Sequence, residues 1–196
     1  MGFSALQVSK LLGFDGLRFI GGIWLMYNYG VELILYNSKT INYFHALFKF
    51  KPNNTKVLIT GIHAPSNPAN RHKLWNDLKN SLLPDDTPWM LLGDLNEVTS
   101  PSEKMGGRNF RMSQCRDLNM LANVACLVDL GFNDNPFTWH NAREGAAIIR
   151  ERLDRAMTNP SWHNTFPNTQ ASSTMVASTS KSSPRAWSPP KEDTIN

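Results

Sequence analysis

Trp89-Met90-Leu91-Leu92-Gly93-Asp94-Leu95-Asn96-Glu97 is the stretch on which the reading of this chain turns. Its apolar run is too short for a typical helix and ends in glycine and an acid, the pattern of a buried strand with polar side chains at its carboxyl end. Open α/β sheets place their chemistry at such strand ends. Asp94 and Asn96 are two residues apart, so an extended backbone points both the same way and brings a carboxylate and an amide to one spot. Taken alone, Gly93-Asp94-Leu95-Asn96 admits two readings, a site or a turn in which a side chain bonds nearby backbone.

Upstream of this strand, Leu74, Trp75, Leu78 and Leu82 fall on one helical face, which predicts a helix from about Asn70 to Leu82, stopped by Pro84 and Asp85-Asp86. Before it, Val57 to Ile62 reads as a short strand ended by the loop His63-Ala64-Pro65-Ser66-Asn67-Pro68. Phe19 to Tyr27, Val31 to Tyr36 and Tyr43 to Phe50 are rich in Ile, Leu, Val and aromatic residues and predict consecutive, antiparallel strands. Downstream, Ser100 to Asn109 is a polar, glycine-rich loop. Ser113 stands as N-cap of a second helix carrying Leu118, Leu121 and Ala125 and ending near Cys126. Short strands are expected at Leu127 to Phe132, Phe137 to His140 and Ile148 to Leu153, the last closed by Asp154. Asn159-Pro160 opens a short helix. Strands and helices mixed in this way define an α/β (α+β) chain.

With 196 residues, 41% of them hydrophobic, the chain can bury the core of one domain. Residues 1–18 read as an irregular remnant, 19–167 as the folded unit and 168–196 as a disordered tail rich in Ser, Thr and Pro. A formal charge of +4 leans mildly towards polyanionic partners. Cys115 and Cys126 would lie about 16 Å apart along a helix, too far for a disulfide, and their usage suits a reducing compartment. The apolar region Phe19 to Tyr36 is interrupted by Gly21, Gly22, Asn28, Gly30 and Glu32, so no membrane span is expected, and no secretion signal is read at the start. The expectation is a soluble intracellular protein.

Several short motifs occur together in order: Leu58-Ile59-Thr60-Gly61-Ile62, Gly93 to Glu97, Ser102-Glu103-Lys104 with Gly106-Gly107-Arg108, Asp129-Leu130-Gly131-Phe132, Phe137-Thr138-Trp139, and Glu151-Arg152-Leu153-Asp154-Arg155. In this order the chain resembles the endonuclease/exonuclease/phosphatase (DNase I-like) superfamily, and within it the endonuclease domains of plant non-LTR (LINE-type) retrotransposons. The resemblance covers about Gly21 to Pro167. It implies part of a four-layer α/β/β/α sandwich with mostly antiparallel sheets, and Mg²⁺- or Mn²⁺-dependent hydrolysis of phosphodiester bonds in DNA.

Phosphodiester hydrolysis requires a group that orients or deprotonates water, and a cation or donors that hold charge on the phosphoryl oxygens. Carried over by motif, Asp94 acts on the water, Asn96 holds phosphate or lies by the metal, and Asp154 orients a histidine. Asp94 and Asn96 are the candidate metal ligands. His63, Lys104, Arg108 and Trp139 are the candidate substrate contacts, with Arg111 a further basic residue near the DNA backbone. The family pattern also has an amino-terminal asparagine and glutamate, a tyrosine where this chain has His63, and a closing Ser-Asp-His strand. No counterpart of these is read here, so the resemblance implies a chain shortened at both ends, with weak or no activity. It further implies descent from a protein fused to a reverse transcriptase, a monomer, and action in the nucleus.

Overall fold

The computed structural model describes residues 13–20, 23–51, 53–81, 87–132 and 135–171. Its centre is a six-stranded sheet built from β3 (Val31–Thr40), β4 (Tyr43–Phe50), β5 (Lys56–His63), β6 (Trp89–Asp94), β11 (Asp154–Thr158) and β8 (Val128–Asp129), adjacent in that order. All neighbours are antiparallel except β5 and β6, which run parallel and are joined by helix α1 (Pro68–Lys79). A parallel pair needs such a crossover. The fold is thus mixed α/β with mostly antiparallel strands, as expected.

Alternation along each strand sends neighbouring side chains to opposite faces. Tyr43, Leu58, Ile62, Leu91 and Leu95 pack on one face with Leu74, Trp75 and Leu78 of α1 and Leu118 and Leu121 of α2 (Arg116–Val124). Phe44, Phe48 and Val57 pack on the other with Ile20, Ile23 and Leu25 of a small hairpin, β1 (Gly16–Ile20) and β2 (Ile23–Tyr27). Trp162 of α3 (Pro160–Thr165) closes that side. A third sheet joins the two-residue strands β7 (Lys104–Met105), β10 (Arg150–Glu151) and β9 (Trp139–His140), with β10 in the middle.

α1 starts where Asn67 caps it, accepting from the Ala69 and Asn70 amides at 2.9 and 3.3 Å, with proline in the first turn. It therefore begins two residues before the expected Asn70 and ends at Lys79; the expected end at Leu82 lies outside the described residues. Ser113 does not cap α2. It sits in a 3-10 turn, Met112–Cys115, and the helix starts only at Arg116. The run Phe19 to Tyr27 is two paired strands rather than one, because β2 turns back on β1. Strand β1 also reaches Gly16, inside the segment expected to be irregular. Within the expected tail, Thr169 and Ala171 meet the fold: the Trp162 indole donates to Thr169 Oγ1 at 2.9 Å and Ala171 is buried. The rest of the expected disordered tail lies outside the described residues. Cys115 is buried and Cys126 exposed, both as free thiols. Among the described residues no helix is long and apolar enough to cross a membrane.

Candidate active site

The carboxyl ends of β5 and β6 meet the amino end of β11 at one end of the sheet's central strands. His63 is in register with Asp94, and Asp94 with Asp154, so an imidazole and two carboxyls form a row across three adjacent strands. Laterally paired residues point to the same face. Asp154 does not close a strand, as its sequence neighbourhood suggested; it opens β11, and the antiparallel pairing is what brings it opposite Asp94. Leu153 and Asp154 both donate their backbone amides to Thr138 Oγ1 at 3.0 Å, which fixes where that strand begins.

Glycine is required just before Asp94. Gly93 has φ +135°, and a Cβ there would stand 2.0 Å from the Ile62 carbonyl oxygen. The glycine lets β6 lie close against β5 where the row forms. Beyond Asp94 the chain turns tightly. Asn96 takes a left-handed backbone, φ +50°, its amide donates to Asp94 Oδ1 at 2.9 Å, and its side-chain nitrogen donates to the Ala64 carbonyl at 2.8 Å. The turn reading and the site reading thus hold together. The Asn96 side-chain nitrogen also donates to Asp94 Oδ2 at 3.4 Å, so with both its hydrogens engaged the side chain has its oxygen left to offer.

The row is short of compensating charge. Burial pushes the Asp94 carboxyl above the ordinary range, against the opposing pull of the Asn96 amide, His63 and Arg71. Burial also drives Asp154 up to about 6, with the Asp94 charge adding and Thr138 and His63 opposing. Asp154 Oδ1 is buried with no hydrogen-bond partner. Among the described residues no three His, Cys, Asp or Glu side chains converge as a metal cage. The hard oxygen donors of Asp94 and Asn96, beside an undercompensated carboxyl pair, fit an Mg²⁺ or Mn²⁺ that keeps most of its water; Mg²⁺ commonly takes one or two carboxylates and completes its shell with solvent and phosphate.

The other expected residues sit apart from the row. Lys104 pairs with Glu151 across β7 and β10, so its charge is engaged. Trp139, opposite Glu151 on β9, is 40% exposed and is a surface wall rather than core. Arg108 is exposed and makes no ion pair among the described residues. A cavity of about 220 Å³ lies between the two groups, lined by Ser66, Arg71, Asn96, Glu97, Lys104 and Glu151. Arg71 was not singled out in the sequence. Its only signal was a charged residue on the first turn of an otherwise apolar-faced helix.

The solved structures similar to this one include the endonuclease domain of TRAS1, a telomere-specific non-LTR retrotransposon, at TM-score 0.52 and 10% identity over 70% of this chain and 59% of that one. A conserved protein of Enterococcus faecalis V583 matches at TM-score 0.50 and 15% identity over 79% and 69%. An endonuclease/exonuclease/phosphatase family protein from Bacteroides thetaiotaomicron matches at TM-score 0.48 and 12% identity over 70% and 53%. The sequence matches no protein-family model and no curated protein. The likeness to the TRAS1 domain is one of fold, which is of the DNase I-like type. The chain spans between half and three-fifths of the length of the first of these neighbours.

Proposed function

We propose that this chain is a slow, divalent-metal-dependent phosphodiesterase acting on DNA, an endonuclease of the non-LTR retrotransposon type. The observation that carries this reading is the row of His63, Asp94 and Asp154 across three strands, with Asn96 held just beyond it. Asp94 orients the attacking water and takes its proton, a role suited to a carboxyl whose proton affinity burial has raised. The Asn96 oxygen serves with Asp94 as a metal ligand, a reading that the bonds of its nitrogen to Ala64 and Asp94 favour over the phosphate-donor alternative. When bound, the cation supplies charge stabilisation for the phosphoryl oxygens. His63 is the nearby donor for a phosphate oxygen, and Asp154, on the other side of Asp94 in the row, keeps the histidine-orienting role that its motif implies. Arg108 meets the DNA backbone, and Trp139 lines the approach to the row. Descent from a reverse-transcriptase fusion, action in the nucleus and a monomeric state belong to the same reading.

The reading is tested by nicking of supercoiled plasmid with Mg²⁺ and with chelator, the full chain beside Asp94→Ala. Slow nicking that falls at least about a hundredfold in the variant is expected, as for loss of a group acting in the transition state. Nicking that survives the substitution sinks the assignment. DNA binding without any nicking marks a noncatalytic nucleic-acid binder instead.

A further inference from the structure

Two charged side chains lie buried behind the candidate site. Glu97, directly after Asn96, is 6% exposed, and Arg71 on α1 is 9% exposed. Arg71 Nε donates to Glu97 Oε1 at 3.0 Å, while its Nη1 donates to the Pro65 and Ser66 carbonyls at 3.0 and 2.6 Å. Trp75, one helical turn on, donates its indole N–H to the same Glu97 oxygen at 3.2 Å. One guanidinium therefore ties the loop leaving β5, the loop leaving β6 and the helix between them. Those loops are also joined where the Ala64 amide donates to the Asp94 carbonyl at 2.8 Å and the Asn96 side chain donates to the Ala64 carbonyl.

Stability alone is a poor reason for this pair. Glu97 Oε2 is buried without a hydrogen-bond partner. An apolar pair of similar volume often serves a core equally well or better. What the planar fork of arginine adds is fixed geometry. The residue placed by it is Asn96, which takes a left-handed backbone that asparagine tolerates better than most residues and whose side chain sits between the two tied loops.

We propose that Arg71 and Glu97 are positioning residues for the phosphodiester cleavage inferred above, on which this assignment rests: together they lock the turn that holds Asn96 beside Asp94. They act through Asn96, and their loss is felt as misplacement of its side chain. Breaking the clamp should slow turnover roughly tenfold to a hundredfold, the scale of a small displacement of a reacting group.

The experiment uses the full chain with Glu97→Gln, which keeps shape and loses charge, and Arg71→Lys, which keeps charge and loses the fork. Phe48→Leu, on the opposite face of the sheet, serves as a control brought to the same Tm by choice of conditions. Hydrogen exchange at the Asn96 and Ala64 amides is expected to be at least about tenfold faster in the two variants than in the control, with β4 amides equal in all three. In nicking, Glu97→Gln should lower kcat with little change in KM, and should cost less than about twofold once Asn96→Ala is present. Penalties that add, or exchange no faster than in the control, overturn the clamp and leave the nuclease reading standing. Absence of nicking in the unaltered chain overturns both.

Discussion

Asp154 and Arg155 are neighbours on β11 and face opposite sides of it, and the two sides treat buried charge in opposite ways. Arg155, 1% exposed, donates to Glu103 at 2.7 Å from Nη1, to Asp129 at 2.8 Å and to the Glu97 carbonyl at 3.2 Å. Arg152 joins the same two acids at 3.0, 3.0 and 2.7 Å. Two guanidinium groups meet two carboxylates there. Burial would raise the Glu103 carboxyl, yet Arg155 with the Thr99 donors outweighs it and brings the group down to about 2. On the Asp154 side two carboxyls face one another with one imidazole near, an oxygen has no partner, and the carboxyl is driven up to about 6. Although Arg155 Nε, like Asp154 Oδ1, lacks a hydrogen-bond partner, the charges on the Arg155 side balance and read as scaffold, while the two carboxyls side by side at Asp94 and Asp154 do not and mark the candidate site.

The contrast breaks most visibly on the paired side. Arg155→Met removes one of the two cations that Glu103 and Asp129 share, leaving Arg152 alone against both carboxylates, and should cost about 3 kcal/mol in urea denaturation, the low end of the usual penalty for removing one partner of a buried ionic cluster. A loss below about 1 kcal/mol would erase the distinction between the two sides.

The pH dependence of stability separates the sides by sign. The folded chain holds the Asp154 proton more tightly than the unfolded chain, so between about pH 4 and about pH 6 it binds more protons, and stability falls as pH rises through that window. The contribution is on the order of 3 kcal/mol, at about 1.36 kcal/mol per unit. Asp94 and Glu97, also raised by burial, act in the same direction. Glu103 acts oppositely: its stabilisation is complete above about pH 4.5 and is lost as pH falls towards about 2. Asp154→Asn should flatten the decline between pH 4 and 6 and raise Tm at pH 7 while lowering nicking. A wild-type Tm that stays level from pH 4 to 7 would show Asp154 to be paired after all.

The smallest effect is expected on the exposed loop. Arg108→Ala should leave stability within about 0.5 kcal/mol, weaken DNA binding a few-fold and lower the salt slope by about one. Lys104→Met should change DNA binding less, because Glu151 already engages that ammonium. The reverse order would move the DNA path to the three-stranded sheet.

Sequence alone located β4, β5, β6 and the body of α1, because each carries a continuous apolar pattern of the right period. It missed β11, whose Asp154, Arg155 and Thr158 are buried polar residues that no hydrophobic pattern reports. The strands expected at Leu127 to Phe132 and Ile148 to Leu153 shrink to two residues each, since side chains take over the backbone bonding: Asp129 accepts the Gly131 amide at 2.8 Å and Asn141 accepts the Ile149 amide at 3.0 Å. Asp94 and Asn96 were legible as a local pair. The Arg71–Glu97 clamp and the Glu103–Arg155 network were not, because their partners lie 26 and 52 residues apart in the chain and only folding brings them together.

The parallel pairing of β5 with β6 has a kinetic meaning. The antiparallel strands β3, β4 and β5 are joined by short turns and can zip locally, whereas β6 must wait for α1 to cross over, and β11 for the chain that separates Asp154 from Asp94, sixty positions earlier. Contacts of long sequence separation form slowly because loop closure precedes any reward. The row of His63, Asp94 and Asp154 therefore assembles late, after the chain has committed to its topology, so a nascent chain holds the hairpins of this fold before it holds its chemistry.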